Sequence, residues 1–113
     1  MKKEKLNVLW TTDNKEVFLH MAAMYCFNAM EKGWFEEVNI LIWGPSARLA
    51  SEDDQVQKEM KKMMNVGVTI EACKACAEIY KADKKLADIG VDVKYTGTTL
   101  SDYLKSEERF LSI

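Results

Sequence analysis

The sequence is poor in proline and glycine, which are abundant in proteins that do not form a packed core. Among its 113 residues there are one proline and five glycines, whereas 48% of the residues are apolar and 30% are charged. This composition excludes collagen-like, low-complexity and disordered proteins, and the length fits one domain spanning residues 1–113. Positive charge is not in excess either, because 16 Lys and Arg residues stand against 18 Asp and Glu residues. The sequence therefore does not predict a basic surface that would bind phosphate backbones, and no nucleic acid is expected as a partner.

Long apolar segments are also missing. The N-terminus is charged and leads within a few residues into a predicted strand, without the apolar segment and small-residue cleavage site of a signal peptide. The longest nearly apolar stretch, 17–30, is interrupted by His20 and Asn28 and is shorter than the roughly 20 residues that a membrane span needs. We therefore expect a cytoplasmic protein without a membrane span.

Thiols and metal ligands are few. The three cysteines, Cys26, Cys73 and Cys76, are an odd number in a chain without an export signal, which argues against a disulfide framework. A zinc site needs about four ligands, and the chain offers one Cys-x-x-Cys pair, Cys26 and a single histidine, His20. No metal is therefore expected, and the chemistry of interest is that of the thiols.

Short apolar, β-branched segments alternate along the chain with helical segments. The predicted strands are 6–10, 38–43, 68–70, 91–95 and 109–113, and the predicted helices are 15–32, 53–66, a segment that continues through 80, 82–89 and 98–105. This alternation is typical of right-handed βαβ crossovers. It predicts a three-layer α/β/α sandwich around a mainly parallel five-stranded sheet.

The edge of the sheet at the carboxyl ends of the strands is the expected site, because helix N-termini also point there. Cys73 and Cys76 are the only strong nucleophiles among the residues at this edge, and they lie at a strand-to-helix junction beside Lys74. A thiolate at the start of a helix is stabilised by the helix dipole. The edge is expected to contain residues 11–14, 44–46, 71–76 and 96–98, with Trp10 and Trp43 nearby.

Other interpretations of these motifs stay open. Free cysteines are among the most buried residues, so Cys73 and Cys76 could simply be small core residues. A thioredoxin-like dithiol fits poorly, because the pair follows the third strand and the only proline, Pro45, follows the second. The Gly44-Pro45-Ser46 segment lacks the glycine spacing and the lysine of a phosphate-binding loop, so it is interpreted as a turn and helix cap, and no cofactor is expected.

Several features together carry a resemblance over essentially all of the chain. They are the length, the opening strand that runs into Thr-Asp-Asn, the Ile-Leu-Ile-Trp-Gly-Pro-Ser segment, and a Gly-Val segment followed by a cysteine after the third strand. In these features the chain resembles the DsrE/DsrF-like family of small α/β proteins. In the sulfur-relay members of that family, a cysteine after the third strand carries sulfur as a persulfide, and Cys73 matches this position best.

The resemblance implies a carrier more than a stand-alone enzyme, with sulfur donor and acceptor proteins as its partners. Cys76 is not a general feature of the family, so a redox switch that closes Cys73 to Cys76 is an alternative. A second alternative is an oligomeric ligand-binding module in which both cysteines are incidental. A fold transfers between relatives more readily than a function does.

The first helix carries more apolar surface than one sheet face requires. Between residues 17 and 30 only His20 and Asn28 are polar, so the apolar surface runs nearly all round the helix. An exposed apolar patch of this size is unusual on a soluble monomer. We therefore expect a homo-oligomer with this helix in or next to the subunit contact, and the family resemblance implies a trimer or a hexamer.

Overall fold

The apolar, β-branched segments of the sequence form one five-stranded sheet in the computed structural model, which describes residues 4–113. Every pairing is parallel, and the strand order is β4-β3-β2-β1-β5. This arrangement confirms the predicted α/β class. The strands are β1 (Lys5–Trp10), β2 (Glu37–Ile42), β3 (Thr69–Cys73), β4 (Asp92–Lys94) and β5 (Arg109–Ser112).

Six helical segments connect the strands within residues 4–113. The first, α1, is continuous but changes geometry twice, running as Lys15–Val17, the π-helical Phe18–Ala23 and Met24–Glu31. None of the helices in residues 4–113 is long and apolar enough to cross a membrane. The other helices are α2 (Ser46–Glu52), α3 (Asp54–Asn65), α4 (Lys74–Ile79), α5 (Asp83–Asp88) and α6 (Gly97–Lys105).

Helix α2 was not among the predicted elements, because Gly44-Pro45-Ser46 was interpreted as a turn and helix cap and the next helix was predicted to begin at residue 53. Proline is well tolerated at the start of a helix, and here the chain turns helical directly after Pro45. The helix ends at Asp53, whose backbone is extended, and the Asp53 carboxylate accepts the N–H of Val56 at 3.0 Å. Asp53 therefore separates two helices where the sequence predicted one.

The core lies on one face of the sheet. Val8, Ile40 and Ile70 stand side by side on β1, β2 and β3, and each is at least 96% buried. Because side chains alternate along a strand, these residues share one face, and helices α1 to α5 cover it. The helical residues that pack into this core include Phe18, Cys26, Ala47, Val56, Met60, Ala77 and Leu86.

The opposite face of the sheet is covered by α6. The chain steps in one direction from β1 to β4 and then returns past β1 to β5, and a crossover that keeps its hand while reversing direction passes over the other face. Asn39 and Glu71, on the face opposite Ile40 and Ile70, bind the Tyr103 side chain of α6. The result is helices, sheet and one helix, which confirms the three-layer sandwich.

Candidate functional site

The carboxyl ends of the first two strands are tied together by Ser46. Its backbone N–H donates to the Thr11 carbonyl at 3.1 Å, and its hydroxyl donates to the Trp10 carbonyl at 2.5 Å. The same hydroxyl accepts the N–H of Trp43 at 3.2 Å. Ser46 is fully buried and caps the ends of two strands instead of a helix, so its hydroxyl is not free to bind an anion.

Gly44 brings a backbone donor to the cysteine pair. It has a positive φ of 72°, while a Cβ at this position would meet no atom within 4 Å, so glycine is required by the backbone angle and not by lack of space. In this conformation the Gly44 N–H lies close enough to Cys76 to lower the pKa of its thiol. The turn after β2 is therefore part of the environment of the thiols.

Cys73 is the last residue of β3 and not the first residue of a helix. The predicted strand ended at residue 70, but pairing with β4 extends it, with Glu71 opposite Asp92 and Cys73 opposite Lys94. A pairing with a distant strand outweighs the helical tendency of the local sequence. Cys73 keeps an extended backbone at the N-cap position of α4 and is 5% exposed, less than expected for a thiol in a loop.

Hydrogen-bond donors surround the Cys73 sulfur. Burial raises the pKa of this thiol, but the N–H and S–H groups of Cys76, the hydroxyl of Thr96 and the N–H of Ala75 stabilise the thiolate. Their combined effect is larger, so the pKa of Cys73 lies below that of an ordinary cysteine. Cys73 is therefore the thiol that ionises more readily.

The pKa of Cys76 is shifted in the opposite direction to that of Cys73. Cys76 is partly exposed, and its burial together with the neighbouring Cys73 thiolate raises its pKa, although the Gly44 N–H acts in the other direction. A second negative charge beside the first is unfavourable, so Cys76 stays protonated and donates its S–H to Cys73. The pair thus consists of one nucleophilic sulfur and one hydrogen-bond donor.

Two cation–aromatic pairs flank the cysteines. The Lys74 ammonium lies 5.3 Å from the centre of the Tyr95 ring, and the Arg48 guanidinium lies 5.7 Å from that of Tyr80. Arg48 also binds Asp13 at 2.6 Å. Neither tyrosine was predicted from the sequence as part of the site, although Tyr95 directly follows the carboxyl end of a strand.

Cys26 and His20 lie apart from the cysteine pair and in different environments. Cys26 is fully buried in α1, and burial raises its pKa to about 12. His20 is exposed on the same helix and lines a groove beside Met21 and Met24. Within residues 4–113 there is no group of three or more His, Cys, Asp and Glu side chains that could hold a metal ion.

Glu71 forms a separate buried cluster two residues before Cys73. Its carboxylate accepts the Asn39 amide at 2.7 Å, the Tyr103 hydroxyl through a short hydrogen bond, and the Lys94 ammonium at 3.0 Å. Burial raises the pKa of Glu71, but these donors outweigh burial and hold it below its usual value. The carboxylate anchors α6 to the sheet through Tyr103.

Comparison with known proteins supports the fold more than the chemistry. The model of the DsrE/DsrF-like family matches residues 5–113. A conserved protein of unknown function from Bacteroides thetaiotaomicron, BT1422, is 44% identical over 97% of this chain and 95% of its own, with a TM-score of 0.95. No curated protein matches the chain.

Two more distant solved structures share the fold. The ychN protein from E. coli is 12% identical, with coverage of 99% of this chain and 100% of its own and a TM-score of 0.70. The protein of unknown function MTH1491 from Methanobacterium thermoautotrophicum is 15% identical, with coverage of 99% and 100% and a TM-score of 0.71. At these identities the similarity concerns the fold alone.

Proposed function

Because the chain belongs to the DsrE/DsrF-like family, we propose that it is a small sulfur carrier, which accepts sulfane sulfur on Cys73 and passes it to a cysteine of a partner. The family is related to sulfur relay. The function rests on a single thiol that ionises readily, and the rest of the fold holds that thiol in place. It is a carrier more than a stand-alone enzyme.

The difference between the two neighbouring sulfurs is the observation that carries this proposal. The thiolate, and not the thiol, attacks sulfur, so a carrier cysteine needs a lowered pKa. Hydrogen bonds lower the pKa of Cys73, while burial and the Cys73 charge raise that of Cys76. Cys73 is therefore the reactive thiol, and Cys76 is a hydrogen-bond donor that stabilises its thiolate.

The transfer requires no external oxidant. The Cys73 thiolate attacks the outer sulfur of a donor persulfide, the donor's S–S bond breaks, and the donor leaves as a thiolate. Cys73 then carries a persulfide, and its outer sulfur forms a new S–S bond with an acceptor thiolate while the Cys73 thiolate is released. The oxidation state of the transferred sulfur is conserved throughout.

A dithiol redox switch is the second candidate, and the contact between the two sulfurs favours it. Cys76 helps to lower the pKa of Cys73 by acting as a hydrogen-bond donor, which places the two thiols close to one another. Closing the bond removes two hydrogens and needs an oxidant such as a glutathione disulfide, which is reduced to two thiols. In a redox switch Cys76 forms the disulfide with Cys73, whereas in a carrier Cys76 remains a thiol.

Intact mass after incubation with inorganic polysulfide separates the two candidates. The carrier predicts that wild type and Cys76→Ser gain sulfur atoms, whereas Cys73→Ser gains none. The loaded form should last longer in Cys76→Ser, because a neighbouring thiolate can otherwise discharge the persulfide as sulfide.

The opposite pattern would contradict the carrier. If wild type only loses two hydrogens and Cys76→Ser gains no sulfur, the pair is a redox switch. If neither thiol changes mass, the cysteines are incidental and the chain is a binding module. Cys26→Ser is the matched control, because it removes a cysteine that lies outside the site.

We also propose that the carrier is a homo-oligomer, and that the contact includes α1. Met21, Met24 and Trp34 are 41%, 54% and 54% exposed, and a groove of about 300 Å³ lies among them. Apolar side chains exposed together in this way are stabilised by a partner surface. A trimer or a hexamer is the assembly we expect.

A further inference from the structure

Thr96 is a buried residue whose side-chain hydroxyl has no hydrogen-bond partner among residues 4–113. It follows β4 and immediately precedes α6, and it is 1% exposed. Buried hydroxyls are nearly always paired, and leaving one unpaired lowers stability, so this exception needs a physical reason.

The Cys73 sulfur is the acceptor that lies near this hydroxyl. Cys73 is paired in register with Lys94, and the chain then continues past the end of the sheet to Thr96. There the hydroxyl is placed to donate to the Cys73 sulfur once that sulfur carries a negative charge. A neutral thiol is a weak acceptor, whereas a thiolate is a strong one.

The charged groups around Cys73 do not replace this donor. Lys94 is the nearest cation on the neighbouring strand, but its ammonium binds Glu71 at 3.0 Å and Asp92 at 3.2 Å. The Lys74 ammonium, on α4, lies over the Tyr95 ring. The stabilising contacts to the thiolate are therefore made by uncharged donors.

We propose that Thr96 is the positioning residue for the Cys73 thiolate, with its hydroxyl kept without a partner in the thiol form so that it donates to the sulfur in the ionised form. This role deepens the proposed sulfur-carrier function and rests on it for its biological use. On ionisation Cys73 releases its proton to solvent and the Thr96 O–H turns its hydrogen to the sulfur. No covalent bond of Thr96 changes, and no oxidant is involved.

The pH dependence of Cys73 alkylation tests this role directly. Thr96→Val removes the hydroxyl and keeps the shape, Thr96→Ser keeps the hydroxyl, and Thr98→Val is a matched control at an exposed threonine nearby. The rate of modification by iodoacetamide is measured as a function of pH for each variant. Trypsin cleaves after Lys74, so Cys73 and Cys76 are followed in separate peptides, 63–74 and 75–81.

We expect the midpoint of the Cys73 profile in Thr96→Val to rise by about one pH unit, which makes alkylation below the midpoint roughly tenfold slower. Thr96→Ser and Thr98→Val should keep the wild-type midpoint. An unchanged midpoint in Thr96→Val would overturn the proposal. Thr96→Ala, measured alongside, gives the same test if the valine variant does not fold.

Thermal unfolding provides a readout that distinguishes this role from a structural one. With Cys73 protonated, Thr96→Val should be as stable as wild type or more stable, because it removes a buried hydroxyl that has no partner. A large loss of stability at that pH would identify Thr96 as a structural residue. The alkylation midpoint does not depend on sulfur loading, so the proposed function and the role of Thr96 fail independently.

Discussion

Cysteine occurs in two contrasting environments in this chain. Cys26 is surrounded by apolar atoms in α1, where nothing offsets the cost of burying a thiolate, and its pKa is raised to about 12. Cys73 is nearly as buried but is surrounded by N–H, S–H and O–H donors. The chemistry of each thiol therefore follows from the donors around it and not from its exposure alone.

Alkylation of the native protein should show this difference. We expect Cys73 to react at least about tenfold faster than Cys26 near neutral pH, and its rate to level off below the usual thiol pKa of about 8.5. Tryptic peptides 63–74 and 16–32 report the two residues separately. Equally slow reaction of both would favour a module with incidental cysteines, and faster reaction of Cys26 would place the site elsewhere.

At the scale of elements, α6 is held to the sheet mainly by polar contacts. It has no fully buried residue, and its Tyr103 hydroxyl donates to the buried Glu71 carboxylate, which also accepts from Asn39 and Lys94. Thr96 precedes this helix, so the anchor that fixes α6 also fixes the position of the Thr96 hydroxyl. The Glu71 cluster is thus connected to the thiol site through one helix.

Glu71→Gln should therefore destabilise the protein in a pH-dependent way. The folded state lowers the pKa of Glu71, so its stabilising contribution is present above the unfolded pKa of about 4.3 and is lost as the pH falls through the lower folded value. We expect a loss of about 1–3 kcal/mol in the free energy of unfolding at pH 7. Denaturant titration at neutral and acidic pH measures this loss.

The difference between wild type and Glu71→Gln should shrink in acid, because both side chains are then uncharged. Glu52→Gln, at an exposed position, is the matched control and should change stability by less than about 0.5 kcal/mol. A penalty for Glu71→Gln that is the same at both pH values would show that the charge of Glu71 does not contribute.

At the scale of the whole molecule, the surface is uneven. One side of α1 packs against the sheet and contributes to the core. On the same helix Met21, Met24 and Tyr25 are exposed, next to Trp34. The Tyr25 and Trp34 rings pack 5.9 Å apart between their centres. This apolar side of α1 lies outside the thiol site, so assembly through it would leave Cys73 and Cys76 available to partners.

Light scattering at micromolar concentration should therefore give a mass well above the 13.0 kDa of one chain, in the range of a trimer or a hexamer. Met24→Lys places a charge within the apolar surface and should shift the protein towards the monomer. Leu104→Lys, at a similarly exposed apolar residue on α6, is the matched control and should not. A 13 kDa wild-type species would remove the argument for assembly.

The class of the fold and the position of the thiols at a strand-to-helix junction can be predicted from the amino-acid pattern alone. Apolar β-branched segments alternating with helical ones specify strands and crossovers through local periodicity, and five parallel strands are present. The junction that holds Cys73 and Cys76 follows from the same pattern. The local pattern was wrong where distant contacts decide, at the end of β3, which β4 extends, and at Ser46, which binds the carbonyl of Trp10.

The difference between Cys73 and Cys76 and the contacts that hold α6 depend on residues that are far apart in the sequence. Tyr103 binds Glu71 across 32 residues of sequence, and the segment that follows β4 brings Thr96 to the environment of Cys73. Neither of these long-range contacts can be predicted from sequence periodicity, because a single hydrogen bond between distant segments depends on strand order and register. Sequence periodicity records which side of an element is buried, whereas the direction of a pKa shift depends on the few donors that the fold brings to one atom.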